Sequence, residues 1–174
     1  MSSLYPVGSV VPYAGQLTPT SEAALIAQGF VPCDGRQLGN TDPQYQSLQK
    51  VIGTSYGGTK TSFCVPDYRG IFLRGTNGGS GVDPNAATRT APQPTLAIPG
   101  NTGDAVGSMQ PGGLQSHTHT YASAGGDYHI INLGGAETPG VYAENKTTSA
   151  TTTATGGAET RPRNAAVNYV IAYL

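Results

Sequence analysis

The sequence predicts a mixed fold, β- and loop-rich with two short helices. A small α+β unit over residues 4–75 is followed by extended strands and loops. Three observations lead there. Glycine (25) and proline (13) are abundant among 174 residues, and 37% of the chain is hydrophobic. The Ala/Glu/Lys/Leu texture of long helices is missing. Helix signals occupy two short windows, and the other apolar runs have strand length.

The elements follow in order. Val7, Val10 and Val11, set among prolines and glycines, suggest a short strand within residues 5–15. Residues 20–29 read as a helix, with Thr20 or Ser21 as its cap, Glu22 in its first turn and Gly29 as its stop. A second helix is expected to begin near Pro43 behind a Thr41 or Asp42 cap. In it Tyr45, Leu48 and Ile52 form one apolar stripe at i, i+3 and i+7, and Gly53 ends it. Phe63–Val65 and Ile71–Leu73 read as strands flanking a Pro-Asp turn. Residues 76–113 are Gly/Pro/Asn-rich with hardly any apolar periodicity, and read as a long connector. Residues 114–174 form the third region. Its Gly/Thr/Ala/Ser-rich part carries Tyr121, Tyr128 and Tyr142, and its end, from Ala165 to Leu174, alternates as a strand returning to the core. There is no heptad pattern and no internal repeat.

Charge and length exclude several functions. The net charge is −1 and no basic stripe is present, so the electrostatic footprint of a nucleic-acid binder is missing. No apolar run approaches the roughly 18 residues that a bilayer span requires, and the N-terminus has no basic-then-apolar pattern of a secretory leader. Export is therefore expected through lysis or an assembled particle. A chain this poor in apolar residues calls for a partner chain to bury enough surface. Cys33 and Cys64 read as two small buried thiols, with a bridge between them as the alternative.

The sharpest chemical pattern is His117-Thr118-His119. In a strand, residues i and i+2 share a face, so both imidazoles can converge on one ion. Two histidines do not complete a metal site, whereas three chains would bring six, an octahedral shell. Imidazole suits iron, zinc, nickel and copper alike. The bland alternative is two solvated histidines on a polar strand, and His129 is expected at the surface. Gly53 and Gly58 have phosphate-loop spacing, but Thr59 intervenes before Lys60, so a glycine-rich turn is the better reading. Paired carboxylates for glycan cleavage would come from Asp34, Asp67, Asp83, Asp104, Asp127, Glu137, Glu144 and Glu159. Asp34 and Asp67 sit in Cys-Asp-Gly and Pro-Asp turns, where a carboxylate commonly bonds local backbone. No serine stands in a G-x-S-x-G elbow, and no enzymatic activity is expected. Arg161 and Arg163 read as partners of carboxylates or as strand-end caps.

Seven ordered blocks carry a family resemblance. They begin with Pro6-Val7-Gly8-Ser9-Val10-Val11-Pro12-Tyr13-Ala14-Gly15, Cys33-Asp34-Gly35-Arg36 and Ile52-Gly53-Thr54-Ser55-Tyr56-Gly57-Gly58. They continue through the run from Phe63 to Gly75, Asp83 to Arg89 with Val106 to Gln110, Ser116 to His119, and Glu159 to Tyr169. In these the chain resembles the phage tail-collar family, which includes short tail fibres and the bacterial microcystin-dependent proteins. Phe30 stands where that family often has Trp. The resemblance implies a collar unit at 4–75 and an intertwined homotrimer. It also implies iron, or alternatively zinc, held as one structural ion per trimer by His117 and His119 of three chains. It further implies a non-enzymatic tail-fibre protein of a phage or phage-like particle, assembled in the bacterial cytoplasm with other tail or baseplate proteins. That protein would bind bacterial surface polysaccharide or lipopolysaccharide; Tyr121, Tyr128 and Tyr142, set amid Ser, Gly and Asn, read by their own chemistry as the contacts, with ordinary packing residues as the alternative. Family fibres carry a repetitive shaft ahead of this domain. The sequence here opens on the collar motif, in the layout of a stand-alone tip or of a tail-independent microcystin-dependent-type protein.

Overall fold

The computed structural model describes residues 4–113 and 163–174, with the backbone of two strands at 127–130 and 141–144. The chain divides into two units, residues 1–111 with 163–174, and residues 112–162.

In the first unit, β1 (Val10–Tyr13), α1 (Pro19–Ala27), β2 (Phe30–Pro32), β3 (Gln37–Gly39), α2 (Gln46–Ile52) and β4 (Ser62–Cys64) come in succession. A three-residue 3-10 turn follows at Ala86–Thr88. The element numbered β7 (Asn168–Ala172) arrives from the far end of the sequence and lies between β1 and β2, antiparallel to both. Val10 faces Ile171, and Phe30 faces Ala172. β3 and β4 form a second antiparallel pair with Leu38 opposite Phe63. The core gathers Val31, Cys33, Leu38, Leu48, Phe63, Val65, Ile171 and Tyr173, which lie on or directly after β2, β3, α2, β4 and β7 and not on β1 or α1. Val10 and Ile26 pack against its edge from those two. The expected return of the C-terminal strand to the core is what the sheet shows.

Helix α1 starts earlier than the sequence suggests. Thr18 is its cap: its hydroxyl accepts the Ser21 N–H at 3.2 Å, and the Ser21 hydroxyl accepts the Thr18 N–H at 2.8 Å. Pro19 takes the first helical position, where a missing N–H costs nothing. Ser21 is thus the reciprocal member of a capping box rather than the cap itself. Helix α2 starts later than expected, because Asp42 accepts the Gln44 N–H at 3.0 Å and closes a turn around Pro43 instead of capping the helix. Its stripe lies as the spacing predicts: Leu48 is buried, Tyr45 and Ile52 pack on the core, and Gly53 ends it at a positive φ of 52°.

One expectation is corrected, and one alternative falls away. Ile71–Leu73 is not a strand: no described strand pairs with it, and its side chains are 37%, 61% and 45% exposed. Cys33 and Cys64 are free, buried thiols and not a bridge. Residues 76–110 contain no strand, yet the segment is tied to the rest of the unit. Gly58 and Ile98 exchange two backbone hydrogen bonds, and the Asn101 N–H bonds the Ser55 carbonyl at 2.9 Å.

In the second unit β5 (Asp127–Ile130) and β6 (Val141–Glu144) pair antiparallel, with His129 opposite Tyr142 and Tyr128 opposite Ala143.

Candidate functional site

The histidine pair and Tyr121 lie outside the described residues. Tyr128 and Tyr142 fall on β5 and β6, at neighbouring rather than facing register positions. Among the described residues there is no group of three or more His, Cys, Asp or Glu side chains arranged to hold a metal ion, and no helix is long and apolar enough to cross a membrane. The cysteines are poor ligand candidates. Burial, followed by the nearby Asp34 and Asp67 charges, pushes the Cys33 thiol up to about 12, and burial raises that of Cys64 as well. Metal ligation needs a thiolate.

The carboxylates occupy paired arrangements. Asp34 and Asp67 sit opposite each other in an isolated antiparallel bridge, and each grips the arginine two residues later. Arg36 Nε lies 2.9 Å from Asp34 Oδ1 and its Nη2 lies 2.6 Å from Oδ2, while its Nη1 reaches Glu22 of α1 at 2.5 Å. Arg69 forks onto Asp67 at 2.8 and 2.6 Å. Both carboxylates also accept the arginine's own backbone N–H, the local bonding that their turn positions suggested. Burial opposes ionisation of Asp34, but the Arg36 hydrogen bonds and charge outweigh it and hold its carboxyl below the usual range. Asp67 is held low chiefly by the Arg69 hydrogen bond. The Asp34 bond raises Arg36 in turn, with Glu22 adding to it. Asp104 accepts the Asn77 and Gly78 N–H groups at 2.6 and 2.8 Å. A general acid for glycan cleavage needs a raised carboxyl, whereas Asp34 and Asp67 are held low in structural clamps. Gly58 and Thr59 form a tight turn onto Ser62, with Thr59 N–H to Ser62 O at 2.9 Å, so the glycine run is a hairpin connection.

A third arginine–carboxylate cluster escapes sequence reasoning. Asp83 and Arg89 form a buried ion pair, and Arg74 approaches the other Asp83 oxygen at 3.5 Å. Burial opposes ionisation of Asp83, yet the Arg89 hydrogen bond carries its carboxyl below the usual range. Beside this cluster opens a cavity of about 400 Å³, walled by Tyr56, Tyr68, Phe72 and Met109, with Arg74 and Arg89 on its lining. The Tyr56 and Tyr68 hydroxyls bond each other at 2.9 Å, and their rings meet edge to face at 6.1 Å. Burial raises the pKa of both phenols, so both stay protonated at neutral pH. Gly107 is required where the cavity wall doubles back. Its φ is 93°, and a Cβ there would lie 2.4 Å from the Ser55 carbonyl oxygen. The cavity residues come from several of the motif blocks, but no spacing in the sequence announces that they meet.

Comparison with known proteins agrees with this architecture. The phage tail collar domain matches residues 8–73, from the turn before β1 through β4 to the extended Ile71–Leu73 segment. Protein RhiB of Rhizobium leguminosarum bv. viciae is 35% identical over 97% of this chain and 86% of its own length. The short tail fiber protein gp12 of Enterobacteria phage T4 is 34% identical over 66% of this chain, which spans 20% of that longer protein. StfE of Escherichia coli (strain K12) is 26% identical over 97% of this chain and 88% of its own. The collar match spans both helices and strands β1 to β4, and RhiB follows the chain nearly end to end, so the chain belongs to the phage tail collar domain family.

Proposed function

We infer that the chain is a tail-fibre-type structural protein of a phage or phage-like injection particle, one that assembles with other tail proteins and attaches to bacterial surface glycan. The observation that carries this is the likeness to a short tail fibre protein over two thirds of the chain, together with the collar match at residues 8–73. The role is binding and assembly, not catalysis. The described carboxylates with resolved shifts are held low by arginines, which suits ion-pair clamps better than proton transfer.

The working unit in this reading is a homotrimer. Supporting it are the apolar side chains left exposed on one chain, among them Leu4, Val51 and Val82. His117 and His119 of three chains supply six imidazoles, a donor set that suits iron or, alternatively, zinc. Six protein ligands leave no open position, so the ion acts as a staple that adds its binding energy to the folded trimer. Tyr121, Tyr128 and Tyr142 are the proposed receptor contacts, since tyrosines amid Ser and Gly give adaptable binding surfaces.

Labelled protein is tested for adsorption to a panel of bacterial cells and to their purified surface polysaccharide, with native mass spectrometry and elemental analysis on the same preparation. Saturable adsorption by a three-chain species carrying one ion supports the reading. A compact monomer that adsorbs to no cell surface refutes it.

A further inference from the structure

The cavity beside the Asp83–Arg89 pair is richer in donors than in acceptors. Its lining includes Arg74 and Arg89 and no carboxylate. Asp83 lies behind Arg89 and neutralises one of the two cations. Arg74 is loosely held: its side chain is half exposed, 3.5 Å from Asp83 and 3.3 Å from the Gln110 amide oxygen. A guanidinium with five donors and two long contacts has unspent capacity. Arg89 is buried, and its Nε has no partner among the described residues, an unusual debt for a buried polar atom. The Tyr56–Tyr68 pair uses one of its two hydroxyl protons, and neither hydroxyl has another partner among the described residues. One phenolic donor therefore remains. Phe72, 61% exposed, adds an apolar ring at the rim, and the volume falls within the roughly 300–1,000 Å³ of small-ligand sites.

We propose that this cavity binds a saccharide unit bearing an oxyanion, a uronic acid or a sugar phosphate. The anion sits on the Arg74 fork and the spare tyrosine hydroxyl, and the sugar ring lies against Phe72. Arg pairs planar and tetrahedral oxyanions through two parallel N–H bonds, and an aromatic face covers the apolar side of the ring. The surface-glycan reading above supplies the source of this ligand. The anion chemistry stands on the cavity itself.

The test is calorimetric titration of the full chain with glucuronic acid, glucose 1-phosphate, inorganic phosphate and neutral glucose. Wild type is expected to bind at least one of the two acidic sugars at least tenfold more tightly than glucose, and which of the two binds names the source. Arg74→Gln should lose that preference at least tenfold while its melting curve stays that of wild type, because Arg74 is half exposed. The double variant Tyr56→Phe/Tyr68→Phe removes the spare donor whichever ring carries it, and should weaken the acidic sugar about threefold or more and leave glucose unmoved. Equal binding of acidic and neutral sugars, no binding of either into the tens of millimolar, or inorganic phosphate binding as tightly as the sugar phosphate overturns the proposal. So does a change in sedimentation of Arg74→Gln, which would make the cavity a seat for a second copy of the chain. If wild type and Arg74→Gln adsorb to cells equally, this site is refuted and the tail-fibre reading stands. Acidic-sugar binding without any cell adsorption refutes the tail-fibre reading instead.

Discussion

Removing one oxygen atom from Tyr173 separates the polar from the apolar part of the core. Its side chain is buried; the hydroxyl donates to the Ile26 carbonyl at 2.5 Å and accepts from the Gln44 amide nitrogen at 2.8 Å. Its ring meets Tyr45 edge to face at 5.0 Å. In Tyr173→Phe the Ile26 carbonyl keeps the Gly29 N–H at 3.0 Å, and the exposed Gln44 turns to water. No buried group is stranded, so the loss is that of an ordinary hydrogen bond, about 1 kcal/mol. Tyr173→Ala loses the ring contact as well and leaves a cavity next to Leu48 and Phe63, which costs roughly 3–5 kcal/mol. Urea unfolding at one fixed protein concentration measures both, since assembly raises apparent stability with concentration. With a slope near 2 kcal/mol/M, the Phe variant's midpoint falls by about 0.5 M and its slope stays constant. A Phe variant as damaged as the Ala variant would refute the reasoning, because it would place the stabilisation in the hydroxyl and not in the ring.

Three further outcomes are expected. The Asp34 and Asp67 carboxyls lie below their ordinary 3.8 when folded, so the stability they contribute is complete above that value and is lost as pH falls through their lower folded values. In metal-free protein, unfolding free energy should hold steady from pH 7 to about 5 and drop below about 4, and Asp34→Asn should shrink that acid drop in chemical denaturation. Gly107→Ala should cost roughly 1–3 kcal/mol from positive φ alone, and more from the clash at the Ser55 carbonyl; a thermal melt indistinguishable from wild type would contradict this. Replacing both His117 and His119 by Ala should abolish bound iron or zinc by elemental analysis and lower the melting temperature. Acidifying wild type below about pH 6 should release the same ion, as the imidazoles protonate.

The parts legible in the sequence are those whose signal is local. The Tyr45–Leu48–Ile52 stripe needs only helical spacing, and Asp34 and Asp67 announce their turns through the residues beside them. The closing strand is an apolar run long enough to read. β2 and β3 are three residues each, too short for alternation to register, and they exist because β7 and β4 supply their partners. Ile71–Leu73 shows the converse: strand-forming residues without a described strand to pair with stay extended and exposed. The Thr18 cap was obscured because Thr20 and Ser21 are equally good capping residues, and only Pro19 at the first position decides between them. The cavity residues were legible as family motifs but not as a site, since folding alone brings the neighbourhood of Tyr56 to that of Met109.

The position of β7 bears on how the protein is made. Asn168, on this strand, bonds the Gly15 carbonyl across 153 residues of sequence, and β1 and β2 touch β7 rather than each other. On the ribosome both strands emerge early and wait while the whole of residues 112–162 is translated. Throughout that interval each presents an edge of unpaired amides and valines, the kind of surface that seeds aggregation. Slow translation, rare codons in the intervening segment or a shortage of chaperones should therefore lower soluble yield far more than final stability. Fragments ending before Asn168 should collect in inclusion bodies however complete their helices are.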